Sequence, residues 1–329
     1  GLNPLSWWKL NAADTFNSST GNWTIKDYGS GSNNGTSSGM TSANLIQSNL
    51  QHTSGYSPYA LDFDGTDDIL DCGNANSFEI TDSFSGSCWV YLTSTKLNIF
   101  MSKQKNVSPY TGYAVFTSSV GNLRFTMGSN PPSYFLLTST STVPNNIWTH
   151  VAFTYDGSAN STGAKLYMNG SLQTVSSAGG SIAGSIVDAT MPFQISGRGG
   201  TTTGAVGGRI SNASIFNTEL TSTQITEIYN QGVPSNLNNF SGTKPTSWWQ
   251  LGSNSSFNTN WTCLNEGSVT GSNAVSANMT NDDIVNGVGY SANGLGTSSI
   301  DIVGDAPYST ANGLSENMDV LDRTTDVPS

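Results

Sequence analysis

Asp62, Asp64, Asp67, Asp68 and Asp71 fall within one short stretch, YALDFDGTDDILDCG at 59–73. Ca2+ takes about six to eight oxygen ligands, and a turn carrying several carboxylates and backbone carbonyls can supply them. Asp-Gly and Asp-Asp are also ordinary turn residues, and strand alternation sends successive side chains to opposite faces. The expectation is a structural Ca2+ with Asp64 and Asp67 as ligands. Hydrolytic chemistry has less to work with. Glycoside hydrolysis needs two carboxyl groups flanking the bond, and the five glutamates, Glu79, Glu219, Glu227, Glu266 and Glu316, are scattered, with no two on one strand. The two histidines, His52 and His150, accompany no nucleophile motif. His150 reads as a hydrogen-bonded strand residue, not a base. A non-enzyme is expected.

The elements that must position these groups are strands. In IWTHVAFTYDGSANSTGAKLYMNGSLQTV, 147–175, Val151, Phe153 and Tyr155 alternate with Trp148, His150, Ala152 and Thr154. Period two marks a strand, and apolar groups on both faces mark a central one covered on each side. Asp156-Gly157 ends it, and Asn169-Gly170 predicts a type I′ hairpin between 164–168 and 171–175. Further short strands are predicted at 5–10, 61–63, 69–70, 84–92, 99–101, 112–117, 122–127, 134–138, 193–196 and 209–216, separated by turn signals. This spacing indicates an antiparallel sandwich. One helix is predicted, with Thr221 as N-cap, Gln224 closing a capping box, Ile225, Ile228 and Tyr229 on one face, and Gly232 as its stop.

Composition agrees. Charged residues make up 10% of the 329-residue chain, against roughly 25% in an ordinary domain, and Gly, Ser, Thr and Asn take their place. The net charge of −11 and the absence of a basic patch exclude nucleic acid as a partner. No apolar run approaches a membrane span. Cys72, Cys88 and Cys263 have no metal spacing and read as small buried hydrophobes.

The opening repeats. Ser6-Trp7-Trp8-Lys9-Leu10 matches Ser247-Trp248-Trp249-Gln250-Leu251; Phe16-Asn17 matches Phe257-Asn258, and Asn22-Trp23-Thr24 matches Asn260-Trp261-Thr262. Short echoes of NGTSSGM (34–40) follow at 273–279, 293–300 and 312–318. The expected division is a jelly roll at 1–235, a linker at 236–245 and an arm at 246–329 that docks on the sandwich or on a neighbouring subunit. Truncation after about residue 240 is expected to leave a folded sandwich and abolish assembly.

WWKL, NNGT, ALDFDGTDD, WTHVAFTYDG, YMNG and GRISNASIFNTELTSTQITEIY, in that order from residue 5 to 232, resemble the laminin-G-like, concanavalin A-like jelly roll. Ser211 departs from the acidic group that many relatives carry after Arg-Ile. The resemblance implies an all-β, antiparallel sandwich jelly roll with one short helix, a structural calcium and glycan binding by loop aromatics, here Tyr110, Tyr113 and Tyr134 with Arg198. The doubled WW unit, the NGTSSGM-type echoes and the ending NGLSENMDVLDRTTDVP are similar to structural proteins of marine tailed bacteriophages. That similarity implies a non-catalytic virion protein (a capsid decoration, head fibre or tail-associated appendage) made in the host cytoplasm and displayed on the particle surface. Its partners would be other virion proteins or itself, as a homo-oligomer, with a cell-surface glycan as ligand. The alternatives are a secreted bacterial carbohydrate-binding or adhesion module, and a glycosidase of the same fold.

Overall fold

Every residue of Thr149–Tyr155 is buried, as a strand covered on both faces requires. The computed structural model describes residues 4–8, 14–42, 45–47, 57–79, 82–178, 180–187, 190–288 and 298–300. The chain divides into two compact units, Gly1–Ser54 with Ser291–Ser329, and Gly55–Tyr290. The boundary expected between 235 and 246 falls inside the larger unit.

The first unit opens with a small antiparallel sheet of β1 (Thr15–Asn17), β2 (Asn22–Ile25) and β3 (Gly35–Thr36), followed by β4 (Leu45–Gln47). The larger unit begins with β5 (Tyr59–Asp64) and β6 (Ile69–Asp71), then β7 (Phe84–Leu92), β8 (Asn98–Gln104) and β9 (Gly112–Thr117). Next come β10 (Asn122–Ser129), β11 (Ser133–Thr142), β12 (Thr149–Tyr155), β13 (Ala164–Met168), β14 (Ser171–Leu172) and β15 (Val175–Ala178). β16 (Gln194–Ile195) and β17 (Gly207–Phe216) lead to the helix α1 (Ser222–Tyr229). Beyond it lie β18 (Ser247–Trp249), β19 (Ser255–Phe257), β20 (Trp261–Cys263), β21 (Ala274–Ala277) and β22 (Ile284–Asn286). β23 (Ser298–Ile300) returns to the first unit and pairs with β4.

Two antiparallel sheets form the larger unit. One runs β14-β13-β12-β7-β17-β5-β22, with β18 also on β17; the other runs β15-β11-β10-β9-β8-β16-β6-β21-β20-β19. Their inner faces share one core. Phe125 of β10 stacks on Phe153 of β12 at 4.3 Å and 14°, and Leu61, Val90, Val115, Leu123, Leu137 and Val151 surround them. The outer face of β12 is covered as well. Ala152 lies in a second cluster with Tyr167, Phe216, Ile225, Ile228 and Trp248, which places α1 over that sheet and accounts for the two-sided burial.

Local signals act as expected. Asn169 and Gly170 have φ of 48° and 75°, the two positive values a type I′ turn needs. β14 ends at Leu172, however, and Val175 starts β15 on the opposite sheet, against β11. Thr221 and Gln224 complete the capping box. The helix stops at Asn230 in the left-handed region, two residues before the expected Gly232. Cys72, Cys88 and Cys263 are free and buried.

The second WW unit is part of the sandwich. Trp248 and Trp249 of β18 pair with Ser214 and Ala213 of β17, β21 continues the other sheet from β6, and β22 pairs with β5. Trp249, Leu251, Trp261, Cys263, Ala274 and Met279 all enter the main core. Truncation near residue 240 therefore removes core, which corrects the expectation of an intact sandwich. The echo at 312–318 lies outside the described residues, as do Glu316 and His52.

Candidate functional site

Antiparallel pairing puts Phe116, Thr126 and Leu136 side by side on the outer face of the β9-β10-β11 surface, through Arg124↔Phe116, Thr126↔Ala114 and Thr126↔Leu136. Their strand neighbours Val115, Phe125 and Leu137 point into the core. Ile99, Ala114 and Phe116 form an apolar patch of their own, with Leu136 packed against it. Over this floor opens a cleft of about 460 Å³ whose rim includes Tyr110, Tyr134 and Arg198.

The rim is made by the loop before β9, the start of β11 and the turn after β16. Tyr110 is 48% and Tyr134 59% exposed, so both rings offer a face to solvent. The half-buried Arg198 follows β16 on a turn, and its guanidinium carbon lies 5.4 Å from the centre of the Tyr110 ring, within cation–π range. Its Nε donates to Asn106 Oδ1 at 3.0 Å and its Nη1 to Gln104 Oε1 at 3.1 Å. Gln104 is itself fixed, donating through Nε2 to the Tyr110 carbonyl. Burial draws the Arg198 pKa below its ordinary value, and Tyr110 acts in the opposite sense. The cation is thus oriented by two neutral amides, and an arginine has five N–H donors to give.

Three of the four residues expected to meet a glycan come together here. Tyr113 does not. It is 3% exposed, its ring packs edge-on to Phe84 at 4.9 Å, and its hydroxyl donates to the Phe78 carbonyl. The segment GYAVFT is apolar on both faces, so alternation alone could not say which face turns inward. Gln104 and Asn106 escaped sequence reading because isolated amides beside a strand end carry no pattern.

The acidic stretch separates, and the turn after β5 sets the division, since Asp62 and Asp64 share one parity of that strand. Asp64, Asp67 and Asp68 each place a carboxylate oxygen within 4.8 Å of the others. Asp62 turns to Arg209 at 3.9 Å, and Asp71 accepts from the Gly73 N–H. Asp64 Oδ1 also accepts from the backbone of Thr66 and Asp67, holding its pKa down against burial. Asp68 is pushed up to about 6, chiefly by burial and further by the Asp64, Asp283 and Asp67 carboxylates, against the Asp64 N–H bond that lowers it. A hard dication would relieve that crowding, so these side chains fit the calcium that the fold implies.

The four described glutamates are engaged elsewhere. Glu79 pairs with Lys103 and Glu219 with Lys165; Glu227 accepts from Ser241 and Glu266 from Gln250. His150 departs from expectation. Its backbone N–H donates to Asn169, but neither ring nitrogen has a hydrogen-bond partner, and the ring lies against Trp89 and Tyr229. Ser211, the departure noted above, is buried and bonds to the Tyr59 and Gln250 carbonyls.

The two-sheet sandwich agrees with comparison to known proteins. The model of the concanavalin A-like lectin/glucanases superfamily matches residues 64–226. Residues 64–226 are a domain of that superfamily. Solved structures resemble parts of this chain at low identity. A putative carbohydrate-binding protein from Bacteroides ovatus is 15% identical with a TM-score of 0.48, covering 80% of this chain and 68% of that one. The CBM40 of the Ruminococcus gnavus IT-sialidase, bound to α2,3-sialyllactose, is 14% identical with a TM-score of 0.44, covering 53% of this chain and all of that one. A heptameric SAP-like pentraxin from Limulus polyphemus is 14% identical with a TM-score of 0.36, covering 53% and 82%. Comparison with curated proteins found no match. Among the described residues no helix is long and apolar enough to cross a membrane.

Proposed function

We propose that this lectin-like domain is a non-catalytic carbohydrate-binding module, that the Tyr110–Tyr134–Arg198 cleft is its binding surface, and that its ligand is a glycan bearing a carboxylate. The observation that carries this reading is a guanidinium held by two neutral amides at the edge of an apolar floor between two exposed tyrosines. Tyrosine faces stack on the C–H face of a pyranose while their hydroxyls stay wet. A planar guanidinium suits a sugar carboxylate. Among the described residues, none lining the cleft is Asp or Glu, so the carboxyl pair needed for glycoside hydrolysis is not there.

The wider setting belongs to the same proposal. The doubled WW unit and the terminal echoes favour the surface of a phage particle, with other virion proteins or further copies of this chain as partners, and multiple copies would offset weak single-site affinity. A calcium at Asp64, Asp67 and Asp68 would brace the β5–β6 turn. Titration with oligogalacturonates, sialyllactose and their neutral counterparts tests the ligand. Acidic sugars should bind, Arg198→Lys should lose the preference over the neutral sugar, and Tyr134→Ala should weaken both about tenfold, as loss of about 1.4 kcal/mol of stacking would. Equal binding of acidic and neutral sugars would sink the carboxylate assignment. Mass spectrometry of purified particles tests the setting.

A further inference from the structure

The sequence repeat is also a repeat of hydrogen bonds. Trp23 N–H donates to Ser37 Oγ and its indole to the Thr41 carbonyl; Trp261 N–H donates to Ser276 Oγ and its indole to the Thr280 carbonyl. Phe16 meets Trp23 at 5.4 Å and 58°, and Phe257 meets Trp261 at 5.4 Å and 59°. Asp27 accepts from the backbone of Trp7 and Gly29, as Asn265 does from Trp248 and Gly267. The Trp8 indole donates to the Asn33 carbonyl, and the Trp249 indole to that of Ser272. The described residues of 4–47 and those of 245–286 are one module built twice.

The correspondence extends to what each module pairs with. Ile284, Val285 and Asn286 lie opposite Leu61, Ala60 and Tyr59; Leu45, Ile46 and Gln47 lie opposite Ile300, Ser299 and Ser298. Both strands of the second pair are offset by 239 residues from their counterparts in the first (45 to 284, 59 to 298). Yet the two modules differ in burial. Trp248 and Trp249 are 1% and 0% exposed within the larger unit, whereas Trp7 and Trp8 are 49% and 44% exposed and Leu5 72%. The first module carries the same tryptophan pair that closes the sandwich in the second, but with both side chains exposed.

We propose that the slot formed by the edges of β5, β6 and β17 accepts either module, so that residues 4–47 can replace residues 245–286 on the sandwich of the same chain. Loop closure supports this occupant. Gln47 is joined to Tyr59 by 11 intervening residues, while Leu61 and Ile284 are separated by 222, and closure entropy rises with the logarithm of loop length. The first module has the shorter path and the second the filled contacts. Exchange releases Trp248 and Trp249, giving the chain a second state with a different apolar surface. This inference does not depend on the cleft.

Cross-linking in the full-length chain tests it. A Gln47→Cys/Tyr59→Cys variant reports the exchanged state and an Asn286→Cys/Tyr59→Cys variant the present one; directly opposed strand residues are within reach of a short thiol cross-linker, and the native thiols are buried. The second pair should link in the otherwise native chain. Adding Trp249→Ala should suppress that link and raise the intramolecular 47–59 link several-fold, and adding Trp8→Ala should reverse the gain. Absence of the 47–59 link in the Trp249→Ala background would overturn the proposal, provided circular dichroism and gel filtration show the chain still folded. If that chain is unfolded, the proposal is equally overturned, because the first module has failed to fill the slot. A 47–59 link only between chains would also overturn it, since the module would then serve a partner.

Discussion

His150 is buried against Trp89 and Tyr229 with neither ring nitrogen hydrogen-bonded, and burial lowers its pKa from 6.5 to about 3. The folded state therefore keeps it neutral while the unfolded chain takes up a proton below pH 6.5. Its contribution to stability is full above 6.5 and falls by about 1.4 kcal/mol per pH unit as the pH drops towards 3. Asp68 acts in the opposite direction. Its folded pKa of about 6 lies above the ordinary 3.8, so its burial is penalised at neutral pH and relieved as the pH falls through 6. Two measurements separate them. His150→Leu should flatten the acid limb of the stability–pH curve, read as denaturant midpoint between pH 7 and 4. Calcium should raise the melting temperature at pH 7 more than at pH 5, where Asp68 is largely protonated, and Asp68→Asn should remove the difference. A calcium effect equal at both pH values would place the ion elsewhere.

At the scale of elements, the weight carried by 245–286 sets the sharpest expectation. Trp249 is fully buried and stacks on Phe193 at 5.6 Å and 16°, so Trp249→Ala should cost about 3–5 kcal/mol in chemical denaturation. The matching Trp8→Ala should cost well under 1 kcal/mol, because an exposed side chain leaves no cavity. The strands β7, β9, β10, β12, β13 and β17 were legible in the sequence, as were the N-cap of α1 and the Asn169-Gly170 turn, because each rests on local periodicity or local backbone conformation. The doubling of the WW unit was legible too. Its place in the fold was not. That place depends on Ser214↔Trp248 and Val275↔Asp71, and the second of these joins residues about two hundred positions apart, a register no local pattern encodes. The cleft shows the same division: Tyr110, Tyr134 and Arg198 stood out as aromatics and a cation, whereas the burial of Tyr113 and the two amides that orient Arg198 did not.

The whole chain carries a net charge of −11, while the proposed ligand is itself an anion and, among the described lining residues, the cleft supplies one cation, Arg198. The two effects have different ranges. Arg198 would act across a hydrogen bond, inside any screening length, whereas repulsion from the rest of the surface acts over tens of ångströms and is cut when the Debye length shrinks from about 30 Å at 0.01 M salt to about 8 Å at 0.15 M. Association of a carboxylate glycan should therefore speed up several-fold across that range of salt, with dissociation changing less. The methyl ester of the same glycan, which has no charge to repel, should associate at a rate independent of salt. Stopped-flow tyrosine fluorescence resolves both rates. An association rate that falls with salt would mean that the local field at the cleft is attractive despite the net charge, and the approach of the ligand would have to be assigned to basic groups beyond Arg198.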